Sequence, residues 1–209
     1  GLYDTSFILL TADHGEAFYE HKNWQHGWTL YDEIVHIPMI LKWPKSKQQG
    51  RVATLVSQTD VFATLLGQTP VSLPHARSFD LTQNVEMRSQ NRPRRYAISE
   101  FTSNPPPGEP PVKHVSLRTN SNKYVASFQT DTDGFSIYDI ITEELYDLHN
   151  DPLEIQNLAT SSEAKLLSFR KGLAAYLEGA RTFKSWQDGG LVLEDEAIIK
   201  RLKALGYMQ

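Results

Sequence analysis

A chain of 209 residues, 40% hydrophobic and 22% charged, can build a packed core and is not the composition of a disordered segment. A formal net charge of -4 with a pI near 6.0 gives no sign of the basic face that nucleic-acid binding requires. Without cysteine there are no disulfides and no thiolate metal ligands in this stretch, and no apolar run of about 18 residues offers a membrane span.

The chain opens on Gly1-Leu2-Tyr3-Asp4 with neither an initiator Met nor a basic-then-apolar leader, as a domain does when entered part-way. Any targeting segment is expected upstream, and the compartment stays open. Phe7 to Thr11 is a continuous apolar run, the pattern of a strand buried on both faces in a parallel sheet. A helix is expected over Trp28 to Ile34, then a strand over Ile37 to Trp43 with Pro38 near its start. Val52 to Val56 reads as a further strand, and Asp60 as the N-cap of a helix over Val61 to Leu66 that stops near Gly67. Strand and helix signals alternate through this region, which indicates an α/β layer fold.

The stretch from Thr69 to Arg95 is polar, contains proline and has weak periodicity, so it is expected as a long surface excursion. Its Asn91-Arg92-Pro93-Arg94-Arg95 cluster reads as a solvated charge run. Tyr96 to Glu100 resumes as a strand, and the prolines between Asn104 and Pro111 make a stiff extended connector. Lys113 to Arg118, Lys123 to Gln129 and Phe135 to Ile140 are short β-type runs separated by turn residues, the mark of an antiparallel meander. Asn150-Asp151-Pro152 is a turn, and Ser162 to Leu177 is an amphipathic helix. Gly189-Gly190 links to a last short helix over Glu194 to Leu205.

The chemistry-bearing stretch is Thr11-Ala12-Asp13-His14-Gly15-Glu16, at the C-terminal end of the first strand. Open α/β sheets bind ligands at that edge. Adjacent Asp and His can turn a charged oxygen and a neutral nitrogen toward one cation, or they can form an Asx-type turn with a hydrogen-bonded His. Glu20-His21-Lys22-Asn23-Trp24-Gln25-His26-Gly27 follows closely, where Lys22 or His26 can meet an anionic ester and a His can move a proton near neutral pH. Asp32-Glu33 are expected to face solvent on their helix. His36, His75, His114 and His149 lack ligand-spaced partners, and Tyr96 and Glu100 are weak candidates for a cleft border. Trp24 and Trp28 read equally as a sugar-facing surface or as core.

These residues resemble the sulfatase family of the alkaline phosphatase superfamily. The resemblance rests on an ordered series. It starts with Thr-Ala-Asp-His-Gly-Glu, then Trp24-Gln25-His26-Gly27, Leu30-Tyr31-Asp32-Glu33 through Ile40, and Lys42-Trp43-Pro44. It continues with Val56-Ser57-Gln58-Thr59-Asp60, Arg77-Ser78-Phe79, Glu144 through Pro152 with Asn157-Leu158-Ala159, and Lys203 through Tyr207. It implies a partial alkaline-phosphatase-like α/β sandwich over residues 1–95 and a small C-terminal α+β subdomain over 96–209, with an antiparallel sheet, a packing helix and a tail helix.

The resemblance further implies a sulfuric ester hydrolase. Asp13 and His14 match the later pair of metal ligands, for a divalent cation that is most often Ca2+, with Mn2+ or Zn2+ as alternatives. His26 matches the position that contacts the sulfate or leaving oxygen, with Lys22 as a neighbour in substrate binding. The family nucleophile, a formylglycine within Cys/Ser-x-Pro-x-Arg, has no counterpart in these residues, and neither has the early Asp-Asp pair. Both are expected in an N-terminal half of the same polypeptide, so the 209 residues alone are expected not to turn over a sulfated small molecule or glycan. A phosphonate or phosphodiester hydrolase is the alternative within the superfamily, and a non-catalytic sulfatase-like remnant is the alternative outside enzymes.

Overall fold

The computed structural model describes residues 1–47, 49–68, 81, 96–103, 109–129 and 140–187, of which 181–187 by backbone alone. A one-turn helix α1 (Leu2–Thr5) leads into β1 (Ile8–Thr11), which pairs antiparallel with β4 (Met39–Lys42), Leu9 opposite Leu41 and Thr11 opposite Met39. The expectation of a strand buried on both faces in a parallel sheet is therefore corrected. Leu10 and Ile40 are exposed, and among the described residues β1 has β4 as its partner. An apolar run carries no information on the direction of its neighbour.

Between β1 and β4 the chain makes a small hairpin, β2 (Ala17–Phe18) with β3 (Trp24–Gln25), and a single helical turn α2 (Asp32–Val35). The expected helix from Trp28 is thus corrected to the last turn of that stretch, because Tyr31 is extended at φ -69, ψ 162. Val52 to Val56 does not form the expected strand. Helix α3 (Thr59–Leu66) starts earlier than expected, with Gln58 at its N-cap. Asp60 lies inside the first turn and accepts from the Ser57 backbone N–H at 2.9 Å.

The second sheet is an antiparallel meander of β5 (Ala97–Ser103), β6 (Val112–Arg118), β7 (Asn122–Gln129) and β8 (Ile140–Asp147). The fourth strand lies later than the expected Phe135 to Ile140, whose residues 135–139 are outside the described ones. Strand alternation separates two faces. On one, Ile98, Leu117, Tyr124 and Leu145 stand in register, followed by Val115, Ala126 and Phe128. The amphipathic helix α4 (Glu163–Gln187) lays Leu166, Phe169, Leu173 and Leu177 on that face and closes the main core. Tyr96 packs on Phe169 at 5.5 Å and Glu100 accepts from Tyr176 Oη at 2.9 Å, so both serve this packing. Arg170 forks onto Glu143, which also accepts from Tyr124 Oη at 2.5 Å and ties helix to sheet.

The opposite face carries Arg118, Lys123 and Tyr146 side by side in register. Lys123 is fully buried at 0% exposure, which an ammonium tolerates only when paired. Its partners come from α2 and from the turn after β8. The Arg77-Ser78-Phe79 element, the arginine cluster at 91–95, residues 104–108, Gly189-Gly190, the expected tail helix and Lys203 to Tyr207 lie outside the described residues. No helix of the described residues is long and apolar enough to cross a membrane.

Candidate functional site

Asp13 and His14 follow the last residue of β1, where Gln58 at the start of α3 donates through Nε2 to the Ala12 and Asp13 carbonyls, both at 3.2 Å. The next residue, Gly15, donates its N–H to the Ile34 carbonyl at 2.7 Å and lies so close to α2 that a Cβ would meet the Glu33 carbonyl oxygen at 2.0 Å. Only glycine lets the loop seat here. Gln58 and Gly15 thus fix the loop from opposite sides, one by its carbonyls and the other by its amide.

The Asp13 Oδ1 atom accepts the His14 backbone N–H at 3.0 Å, an Asx-type contact that holds its carboxyl below the usual range. Its side chain is 80% exposed, so the second oxygen is open to solvent. His14 Nδ1 lies 2.7 Å from the Gly15 carbonyl, which only accepts, so Nδ1 carries a proton and the neutral ring keeps its lone pair on Nε2. That lone pair faces Asp13 Oδ2 at 3.8 Å. Two donors at this separation can both lie within bonding distance of one cation, about 2.0–2.6 Å from each. The Asx turn and the metal pair, alternatives in the sequence, coexist in the geometry: Oδ1 makes the turn and Oδ2 remains available. Among the described residues no group of three or more His, Cys, Asp or Glu is placed to hold a metal ion, so this is a pair of donors and not a closed cage.

The His26 ring lies on His14 with centroids 4.0 Å apart, and its Nδ1 is 3.3 Å from both oxygens of Glu16. Glu16 therefore orients the His26 imidazole with Nε2 directed elsewhere, a role that the sequence reading did not assign to it. The β2–β3 hairpin carries His26 just past its second strand. Tyr19, Lys22 and Gln25 all take positive φ there (85, 62 and 67), so the hairpin is tightly wound. Lys22 stands exposed at the tip. Among the described residues no hydrogen bond or ion pair joins it to Asp13, His14 or His26. Trp24 and Trp28 are 60% and 67% exposed, so neither is core within the described residues.

Behind the hairpin, His21 stacks on Tyr31 at 3.7 Å, with Nδ1 2.7 Å from Glu33 Oε1 and Nε2 3.2 Å from the Glu154 carbonyl. Both partners accept, so the geometry favours the imidazolium. Burial works against that charge, but Glu33 and the Glu154 carbonyl outweigh it and raise the His21 pKa. Asp32 and Glu33 do not face solvent as their place on a short helix suggested. Asp32 takes Arg118 Nη2 at 3.0 Å and Lys123 Nζ at 3.0 Å, while Glu33 takes His21. Of the other histidines, His36 stays exposed near Asp32, and His114 bonds Ser127 and stacks on Phe101.

The Sulfatase family model matches residues 1–71, the segment that holds Asp13, His14, Lys22 and His26. Arylsulfatase K of Canis lupus familiaris is 29% identical over 166 residues, which cover 76% of this chain and 29% of that protein. The chain resembles sulfatases over these stretches. It spans less than a third of the length of that sulfatase. Among solved structures a 2-O GAG sulfatase superposes with a TM-score of 0.67 at 24% identity, over 86% of this chain and 38% of that one. The phosphonate monoester hydrolase of Agrobacterium radiobacter superposes with a TM-score of 0.65 at 22% identity, over 87% of this chain and 36% of that one. Both show the partial alkaline-phosphatase-like fold. The sulfatase motif Thr-Ala-Asp-His-Gly-Glu acquires a physical meaning here: the strand delivers the acid and the imidazole, Gly15 lets the backbone seat on α2, and Glu16 turns back to the second histidine.

Proposed function

We propose that this chain supplies one part of the active site of a sulfuric ester hydrolase. In this reading Asp13 and His14 are two ligands of one divalent cation, calcium ahead of manganese or zinc, and His26 with Lys22 meets the sulfate or the leaving oxygen. The observation that carries it is the free Nε2 of His14 facing Asp13 Oδ2 at 3.8 Å, with the Glu16-oriented ring of His26 on top. Both donors fit a cation as deprotonated ligands, the acid because its carboxyl is held below the usual range and the imidazole because its proton is fixed on Nδ1.

When bound, such a cation polarises ester oxygens and stabilises charge on a nucleophile. The chain's own residues do the rest of their share. Asp13 and His14 offer the seat, and Gly15 and Gln58 keep it rigid. Protonated His26 can donate through Nε2 to the departing alcohol oxygen while Glu16 carries the charge on its Nδ1 side. Lys22 adds a positive charge for an anionic ester. The nucleophile called for by the family resemblance is not among the 209 residues, so these residues alone are expected to be inactive. Residues 1–95 are assigned to the catalytic α/β domain, and 96–209 to the C-terminal subdomain.

An NMR titration of the chain with calcium and with inorganic sulfate tests the reading. The expected result is calcium-dependent shifts at Asp13 and His14 that vanish in Asp13→Ala, and sulfate-dependent shifts at His26 and Lys22 that vanish in His26→Ala. Silence of all four residues with either ion, in this chain and in the protein made from its complete coding sequence, overturns it and leaves a non-catalytic module. The phosphonate monoester hydrolase likeness, at a TM-score of 0.65, supports a phosphonate or phosphodiester substrate as the second reading. Comparison of the two ester types by the protein made from its complete coding sequence separates the two.

A further inference from the structure

Glu154 stands far from the candidate site in sequence, and the reading above gives it no task. It is 2% exposed and sits at φ 53, a left-handed conformation that non-glycine residues rarely adopt. The local chain is built to impose that conformation. Asp151 Oδ1 and Oδ2 accept the Ile155 and Gln156 N–H groups at 3.1 and 2.8 Å, and Asp151 O accepts the Glu154 N–H at 3.2 Å. Asn157 staples the same segment to β8 through Leu145 N–H at 3.0 Å and the Glu143 carbonyl at 3.1 Å. The turn drives the Glu154 carboxylate onto the polar face of the second sheet, beside Lys123.

There Glu154 makes three connections. Its Oε1 is 2.9 Å from Lys123 Nζ, its Oε2 accepts the Asp32 backbone N–H at 2.6 Å, and its carbonyl takes His21 Nε2 at 3.2 Å. Lys123 closes the ring by bonding Asp32 Oδ1 at 3.0 Å. Oε1 has no aligned hydrogen-bond donor and is held by the Lys123 charge alone. Burial and the neighbouring Asp32 push the Glu154 carboxyl up, opposed by Lys123, so this geometry costs charge desolvation that a merely packed turn would avoid. What it holds is the N-terminal turn of α2 and, through His21, the turn of the β2–β3 hairpin. The same α2 receives Gly15, next to His14, and the same hairpin carries Lys22 and His26.

We propose that Glu154 is a positioning residue, which with Lys123 clamps α2 and His21 and so sets the loops bearing Asp13-His14 and Lys22-His26. Its value for turnover rests on the function proposed above, while the clamp itself does not. Hydrogen–deuterium exchange of the 209-residue chain and its Glu154→Gln variant, resolved by residue, tests the clamp. The amides of Gly15 and Asp32 are expected to exchange at least tenfold faster in the variant, with those of Tyr124 and Val125 in β7 unchanged. A uniform acceleration of both sets, or no change at the first, overturns the proposal, because Glu154 would then serve only global stability or nothing. Should Glu154→Gln not fold, His21→Phe keeps the stack on Tyr31 and removes the arm to the hairpin. It is expected to release Tyr19 and Lys22 and to spare Asp32, and unchanged exchange at Tyr19 and Lys22 overturns the proposal. Absence of sulfate-ester turnover in the complete protein would sink the catalytic reading while leaving the exchange result to decide the clamp.

Discussion

Gly15→Ala is expected to cost about 3 kcal/mol and to lower the melting temperature by roughly 5–10 °C, a large effect for one methyl group. The added carbon would sit 2.0 Å from the Glu33 carbonyl oxygen and 3.0 Å from its carbon, both main-chain atoms of α2 that cannot rotate away. Relief requires the loop to lift, which breaks the 2.7 Å bond from Gly15 N–H to Ile34 O and moves His14 off its place against His26. Thermal melting with the His14 and His26 ring resonances checks this. The expected outcome is a lower midpoint together with loss of the ring–ring contact. An unchanged midpoint with both resonances in place would show that the loop is not seated as described.

Lys123→Met is the second change with a large expected effect, about 3–5 kcal/mol, because it leaves the buried Glu154 carboxylate without its cation and Asp32 with Arg118 alone. Asp32 and Glu154 respond in opposite senses to pH. Burial would raise Asp32, but Arg118 and Lys123 outweigh it and hold its carboxyl low, so its contribution is present above the unfolded-state value and lost as pH falls through the folded one. Glu154 is raised, so its contribution is full below the unfolded-state value and lost as pH rises through the folded one. Without Lys123 both carboxyls move upward. The deficit of the variant relative to the parent is therefore expected to be larger at pH 7 than at pH 5. Adding Glu154→Gln to Lys123→Met should recover part of the loss, since the double change removes the unpaired charge. Denaturant melts of the four-member cycle measure this, and additive losses at both pH values would refute the coupling.

The first sheet's strands and the first three strands of the meander were legible because apolar runs and turn residues punctuate them clearly. Strand direction was not, since the Phe7 to Thr11 run fits a parallel or an antiparallel neighbour equally. The helix expected from Trp28 shrank to one turn because Tyr31 is extended, placing its ring between His21 and Tyr146, 3.7 Å from the first and 6.1 Å from the second. Asp13, His14 and His26 were found by motif, and the geometry brings these three together with Glu16. Lys22 was named with them and stands apart at the hairpin tip. Asp32 was assigned to solvent as one of two adjacent acids on a short helix. Its partners lie 86 residues away at Arg118 and 91 at Lys123, and Glu154 reaches its backbone from 122 away. Local pattern carries no trace of such pairings. The hint on offer was a cation beside an apolar residue at the facing ends of β6 and β7, Arg118 after Leu117 and Lys123 before Tyr124, which only the register turns into a shared face.

The most direct test of the sulfatase assignment is hydrolysis by the protein expressed from its complete coding sequence, with calcium present, of an aryl sulfate and of the matching aryl phosphate. Sulfate ester turnover that exceeds phosphate turnover, and that falls at least a hundredfold in both Asp13→Ala and His26→Ala, is the expected result. Turnover of neither ester, or turnover indifferent to both substitutions, would contradict a sulfatase site built on these residues.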